Sequence, residues 1–265
     1  MSAIPWSAGT VASGGEDIYY ECAGEGDTVV FSHGLGGNHA VWFQQVPVFA
    51  ERFRVVTWDQ RGFGRSTNRS GQAGPEAAAA DIVSLLDHIG ADGAHLVGQS
   101  MGGWAVLGCA LRASDRVRSL VITDSTAGVM TDRIAEIVSR TRASLPQPVI
   151  GSHPAIGNRF AGEDPTATFL YQQIGSFRDP SVTDAEMVMK LYTTHWPIGQ
   201  VEALNVAVLL VVGAEDDLIA PEAVHEVGKV IPGSRVVEIP GAGHSPYFER
   251  PEAWNETVLS FLAEA

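Results

Sequence analysis

Short apolar runs recur along the chain at the intervals a layered sheet requires. Residues 18–22, 29–32, 55–58, 95–98, 120–123, 206–212 and 236–239 are mostly apolar and are predicted strands. Stretches of helical length lie between several of them. The stretch 75–89 opens on Pro75, sets Ile82, Leu85, Leu86 and Ile89 at helical spacing and stops at Gly90. Stretches 221–230 and 251–262 also begin on a proline, Pro221 and Pro251, and a further helical run covers 104–111. Strands fed by helices need crossover connections. The pattern therefore predicts an α/β fold with a mostly parallel central sheet and helices on both faces.

One interval breaks this rhythm. Between Asp124 and Val206 about 80 residues pass without a core strand, while 131–144, 165–174 and 183–192 read as helices separated by Pro- and Gly-containing joints. That is too long for a loop inside a compact domain. It predicts an inserted helical cap over 126–199, set above the carboxyl edge of a core built from 1–125 and 200–265. Open α/β sheets bind their ligands at that edge.

The sharpest chemical signal is Gly98-Gln99-Ser100-Met101-Gly102-Gly103, which lies between a predicted strand and a predicted helix. A Gly-x-Ser-x-Gly in that setting is a nucleophile elbow. The sharp turn forces the central serine to positive φ, and the glycines two residues to either side remove side chains that would collide there. The turn also sets the hydroxyl at a helix N-terminus, where backbone amides favour developing negative charge.

A serine hydroxyl needs a base beside it. In the chain order Ser, acid, His, the base candidate is His244, in Gly241-Ala242-Gly243-His244 after the last predicted strand. The acid falls in Gly213-Ala214-Glu215-Asp216-Asp217. Counting from the strand end favours Asp216, and counting back from Pro221 favours Asp217. Asp124, at the end of 120–123, is a third candidate, with a strand-end cap as its competing role. An oxyanion hole needs two converging amides. The Met101 amide follows from the elbow, and Leu35 is the expected second donor, from the loop Ser32-His33-Gly34-Leu35-Gly36-Gly37. His33 is expected to brace that loop by hydrogen bonding.

These motifs, with Asp59-Gln60-Arg61-Gly62-Phe63-Gly64-Arg65-Ser66, resemble those of the α/β-hydrolase fold superfamily over about residues 16–261. The resemblance implies a capped serine hydrolase with a Ser–Asp–His triad, read here as Ser100, His244 and Asp216 because the strand end is the rigid reference, with Asp217 as the alternative acid. It also implies that 59–66 is a structural turn behind the oxyanion loop. It says little about substrate, because one fold hosts many reactions. Relatives resembling epoxide hydrolases and haloalkane dehalogenases carry aspartate at the elbow, so Ser100 argues against those activities. No HExxH, paired histidine or GxxxxGK[ST] motif occurs, and no cofactor or metal is expected. The expected substrate is a small, fairly apolar carboxylic ester or lactone. The alternatives are carbon–carbon bond hydrolysis of a vinylogous diketone, with perhydrolysis as a side reaction, and a ligand-binding receptor that keeps the fold with a silent triad. Pocket candidates are His33, Gly34, Trp42, Trp104, His195 and Trp196. Phe43 is weighed with Trp42, while Arg133, Arg140, Arg142, Arg159 and Arg178 are considered as contacts for an acidic substrate.

Composition narrows the partners. With 17 Lys+Arg against 31 Asp+Glu the formal charge is −14, and no basic run exists, which argues against nucleic acid or an anionic membrane surface. The longest apolar stretch, 206–212, is far short of the ~20 residues of a membrane span, and Met1 to Val11 lacks signal-peptide character. A cytoplasmic protein is expected. Cys22 and Cys109 stand apart from each other and are expected to be free, buried thiols. Nothing in the chain sets an oligomeric state.

Overall fold

The computed structural model describes residues 4–144, 153–177, 179 and 182–265. Eight strands form one sheet in the order β1-β2-β4-β3-β5-β6-β7-β8. They are β1 (Trp6–Ser13), β2 (Glu16–Ala23), β3 (Thr28–Ser32), β4 (Arg54–Trp58), β5 (Ala94–Gln99), β6 (Val117–Thr123), β7 (Ala207–Gly213) and β8 (Arg235–Ile239). From β4 to β8 every neighbouring pair is parallel, whereas β1–β2 and β2–β4 are antiparallel. All seven strands expected from the apolar runs are present.

The pattern missed β1. Its first three residues, Trp6, Ser7 and Ala8, are exposed and only Val11 and Ser13 are buried, so this edge strand carries no apolar run to read. Its signal lies in the turn. Gly14 and Gly15 both take positive φ, 55° and 82°, the requirement of a tight two-residue hairpin.

The helices are α1 (Val46–Phe49), α2 (Pro75–His88), α3 (Met101–Arg112), α4 (Asp132–Ala143), α5 (Asn158–Glu163), α6 (Pro165–Gly175), α7 (Asp184–Thr193), α8 (Ile198–Glu202), α9 (Pro221–Val230), α10 (Pro246–Glu249) and α11 (Pro251–Leu262). Alternation along the inner strands sends neighbouring residues to opposite faces. Val30, Val56, Leu96 and Leu120 meet Ile82, Leu85 and Leu86 of α2, together with α3 and α9. Val29, Phe31, Val97 and Val121 meet Phe49 of α1 and Trp254, Val258 and Phe261 of α11. Both faces are thus buried, which is why the strands read as near-continuous apolar runs. Between β6 and β7 the described residues form the five helices α4 to α8 and no strand. None of the described helices is long and apolar enough to cross a membrane.

Polar anchors tie the loops to this frame. Arg61 and Asp81 form a buried two-point ion pair, Nε to Oδ2 at 2.8 Å and Nη2 to Oδ1 at 2.7 Å, joining the 59–66 turn to α2. Asp59 accepts from the backbone N–H of His39 at 2.6 Å and of Arg65 at 2.8 Å, closing the turn against the segment that follows the 33–37 loop. Cys109 is a free thiol inside α3, and burial pushes it up to about 12. Cys22, also free, is only half-buried, because it lies near the antiparallel edge of the sheet.

Glu16 fastens the β1–β2 hairpin to the loop that precedes α2. Its carboxylate is 1% exposed and accepts from Thr67 Oγ1, Arg69 N–H and Ser70 N–H at 2.6–2.8 Å. Burial pushes the carboxyl up, but these donors outweigh it and hold it at about 2. A carboxyl depressed below its unfolded value of 4.5 stabilises the fold fully above that value, and the contribution is lost as pH falls towards 2. Glu16→Gln should therefore cost about 2 kcal/mol near neutral pH. In denaturant titrations run from pH 7 downward, the gap to the unmodified protein should close between pH 4.5 and about 2.

Candidate active site

Ser100 occupies the one residue between the end of β5 and the start of α3, with φ 49° and ψ −115°. That strained conformation is held from both sides. The Ser100 N–H donates to Thr123 O at 2.9 Å, and its carbonyl accepts from Gly103 N–H at 2.8 Å and Ser125 Oγ at 2.7 Å. The close packing requires glycine at two flanking positions. A Cβ on Gly98 would strike the Gly102 carbonyl, and one on Gly102 would strike the Ser32 carbonyl.

The imidazole arrives from the far end of the sheet. His244 follows β8, in a loop bonded to the loop after β7. Ala214 N–H donates to Ile239 O at 3.0 Å and Glu215 N–H to Ala242 O at 2.8 Å. His244 Nδ1 lies 2.8 Å from Asp216 Oδ2, and both side chains are buried. A carboxylate can only accept, so Nδ1 carries the proton and Nε2 of the neutral ring is left with its lone pair. The other Asp216 oxygen accepts from Leu218 N–H at 2.8 Å and Ile219 N–H at 3.0 Å. Asp217, one residue on, is exposed to solvent.

Two further side chains hold the His244 loop. Gln99 Nε2 donates to His244 O at 2.9 Å. Glu249 accepts from the N–H groups of Gly243 and Ser245, at 2.8 and 3.1 Å, and from Gly157 N–H at 3.2 Å in the segment before α5. Burial raises the Glu249 carboxyl despite these donors. Glu249 lies in no motif, and Gln99 stands in the elbow motif at a position where any residue is allowed, so neither role was legible in the sequence.

Asp124 follows β6 directly, at φ 48°, and is fully buried. Its Oδ1 accepts from Gly213 N–H at 2.8 Å, the capping role weighed against a catalytic one. Asp124, Asp216 and His244 each offer a ligand-type atom within 4.8 Å of the others. Both Asp216 oxygens are already occupied by N–H donors, an arrangement built to orient an imidazole rather than to cage a cation.

Ser100, His244, Gln99 and Leu35 line a cavity of about 620 Å³. Core residues form its floor. Val138 of α4, Tyr171 of α6 and Leu191 of α7 close it from the helical segment, joined by Met130, His153 and Tyr192. Among the pocket candidates, Trp104 lines the cavity, and its indole N–H donates to Thr194 O at 3.0 Å.

The other candidates sit elsewhere. Trp42 is completely buried against Phe31, Tyr247 and Trp254, because the α1–α11 side of the sheet absorbs it into the core. Phe43 is half-exposed against Phe248. His195 is exposed, and Trp196 packs against Gly108 and Gly128 in the core; neither borders the cavity. His33 is buried beneath the 33–37 loop. Its Nδ1 pairs with Gly34 O at 2.8 Å and its Nε2 accepts from Gln60 N–H at 3.0 Å, so the ring ties the loop to the 59–66 turn. Gly34 lets that loop approach the elbow, since a Cβ there would strike Gln99 Oε1 and lie 3.2 Å from Ser100 Cβ.

Among the arginines, Arg142 borders the cavity with its guanidinium 4.7 Å above the Tyr192 ring. Arg133 and Arg140 pair with Glu222, and Arg159 pairs with Glu215. Arg178 lies outside the described residues.

Fold and site define an α/β hydrolase. The profile of the Alpha/beta hydrolase family matches residues 29–257, and the chain belongs to that family of enzymes. It is 30% identical to the "Putative non-heme bromoperoxidase BpoC" of Mycobacterium tuberculosis, over 93% of this chain and 98% of that protein. It is 28% identical to the "Putative carbamate hydrolase RutD" of Azorhizobium caulinodans, over 96% and 98%. Among solved structures it is similar to a thermophilic esterase from Thermogutta terrifontis, with TM-score 0.82, 27% identity, and 97% and 98% of the two chains covered.

The packing at the elbow leads to a direct test. Gly102→Ala places a methyl group against the backbone of β3 and should destabilise the protein by about 1–3 kcal/mol. Thermal denaturation compares it with Gly103→Ala, whose Cβ would press chiefly on the Ser125 side chain rather than on backbone.

Proposed function

We propose that the protein is a cofactor-independent serine hydrolase that cleaves a carboxylic ester of a small, fairly apolar molecule. One observation carries the reading. His244, oriented through Nδ1 by Asp216 at 2.8 Å, borders the same cavity as Ser100 at its strained elbow. In this reading His244 Nε2 takes the Ser100 proton as Oγ attacks the substrate carbonyl carbon. The carbonyl π electrons move onto oxygen, and the amides of Met101 and Leu35 stabilise that oxyanion. The tetrahedral intermediate collapses, the alcohol leaves with the proton held by His244, and an acyl-enzyme remains. Water then attacks with His244 again as base, and acid and free Ser100 are released.

The cavity supports the substrate class. Its volume of about 620 Å³ lies within the range of small-molecule sites. Leu35, Trp104, Met130, Val138, Leu191 and Leu218 supply much of an apolar lining, and Arg142, His153, Gln172 and Asp184 are among its polar members. In this reading the helices α4 to α7 act as a cap (126–199) that covers the cavity and shields the reacting centre from bulk solvent while admitting the hydrolytic water. The similarity to the Thermogutta terrifontis esterase supports ester rather than amide cleavage.

The triad reading orders three variants. Ser100→Ala should lower kcat on short p-nitrophenyl esters by about 10⁴-fold or more and abolish labelling by a fluorophosphonate. Asp216→Asn should lose activity by about 10⁴-fold, the usual effect of turning the imidazole to the wrong tautomer. Asp217→Asn should stay within about threefold of the unmodified enzyme, because that side chain faces solvent. Full turnover by Ser100→Ala, or equal losses at Asp216 and Asp217, would overturn the assignment.

A further inference from the structure

Behind the imidazole lies a second carboxyl group that the reaction above does not use. Asp124 is fully buried at the end of β6, on the sheet position next to β7, and it holds a positive φ that few non-glycine residues adopt. Its backbone N–H donates to Val211 O at 2.8 Å, and its Oδ1 accepts from Gly213 N–H at 2.8 Å. Its Oδ2 is buried and has no hydrogen-bond donor among the described residues. Placing a charged oxygen there without a donor would be costly.

Asp216 is provided for differently. Its two oxygens receive His244 Nδ1–H and the N–H groups of Leu218 and Ile219, three donors that suit an anion. A carboxyl oxygen of Asp124, a carboxyl oxygen of Asp216 and a ring nitrogen of His244 lie within 4.8 Å of one another. Two buried carboxylates at that separation do not both stay ionised; they share a proton. The three donors around Asp216 and the single donor at Asp124 decide which of the two keeps it.

We propose that Asp124 is a positioning residue: its carboxyl stays protonated, and its Oδ2–H donates to the Asp216 carboxylate, so that the end of β6 locks the acid against His244. The inference rests on the triad reading for its functional consequence, but not for the shared proton itself. Burial, followed by the negative charge of Asp216, raises the Asp124 carboxyl well above the usual range, in keeping with this geometry. A neutral partner also suits the base. A second anion beside Asp216 would favour the imidazolium, and so withhold the lone pair that His244 needs. The other titratable groups around the pair are Glu249, already engaged by three amides, and the phenols of Tyr171 and Tyr247, which burial keeps protonated.

Asparagine reproduces the protonated state, since its carbonyl can accept from Gly213 and its amide can donate to Asp216; alanine removes both. Asp124→Asn should keep kcat on a short p-nitrophenyl ester within about threefold, with the acid limb of the kcat/KM profile unmoved. Asp124→Ala should lower kcat about 10–100-fold with KM little changed, the usual cost of losing a residue that orients an active ligand. Infrared difference spectra of the unmodified protein at neutral pH should show a protonated-carboxyl stretch that Asp124→Asn removes. The proposal is overturned if that band is absent, or if Asp124→Asn moves the acid limb down by about one pH unit, as neutralising a nearby anion would. The band is read without turnover. It therefore judges the shared proton even if Asp124→Ala fails to fold, or if Ser100 proves inert and the triad reading fails.

Discussion

The site depends on one strained residue. Ser100 must leave β5 and enter α3 within a single step, at a φ that costs a non-glycine residue on the order of 1–3 kcal/mol. The surroundings absorb that cost. Thr123 O and Ser125 Oγ come from β6 and the loop beyond it, so the neighbouring strand holds both ends of the Ser100 peptide unit. The turn can be this tight only because Gly98 and Gly102 let β5, α3 and the end of β3 approach at backbone distance. Once those contacts are made, the serine side chain has nowhere to go but into the cavity at the carboxyl edge of the sheet.

The remaining groups reach that edge through the parallel order of the strands. β3 delivers the 33–37 loop, β6 delivers Asp124, β7 delivers Asp216 and β8 delivers His244, all at the same end. Loops of this kind would be mobile if left alone, and here each is tied down by buried polar bonds. His33 spends one ring nitrogen on its own loop and the other on Gln60 of the 59–66 turn, and Gln99 and Glu249 hold the backbone on either side of His244. Glu249 also reaches Gly157, while Ser245 Oγ donates to Tyr171 Oη at 3.0 Å. The loop that carries the imidazole is thereby bonded to the helical segment that covers the cavity, and movement of one is felt by the other.

Periodicity made the frame legible: inner strands buried on both faces read as apolar runs, and proline-led helices announced their own first turns. The strand–serine–helix turn was legible for the same local reason, since glycine spacing records a steric requirement of the chain itself. β1 was not, because its first three residues are exposed and only one apolar side chain, Val11, enters the core. The roles of Trp42, His195 and Trp196 were not, because an aromatic ring near a site in sequence has no preference between core and cavity until its neighbours are known.

By itself, then, the amino-acid order determined the α/β architecture, the place of the elbow and a short set of polar residues able to serve it. These follow from forces between residues close in the chain: burial period, turn sterics and helix starts. Tertiary structure decided everything that turns on distance between loops. It set Asp216 rather than its neighbour Asp217 against His244, buried Asp124 beside them, and assembled a cavity from α4, α6 and α7 above Ser100. Adjacent aspartates are equivalent to any local rule. They become different only when one faces a buried imidazole and the other faces water.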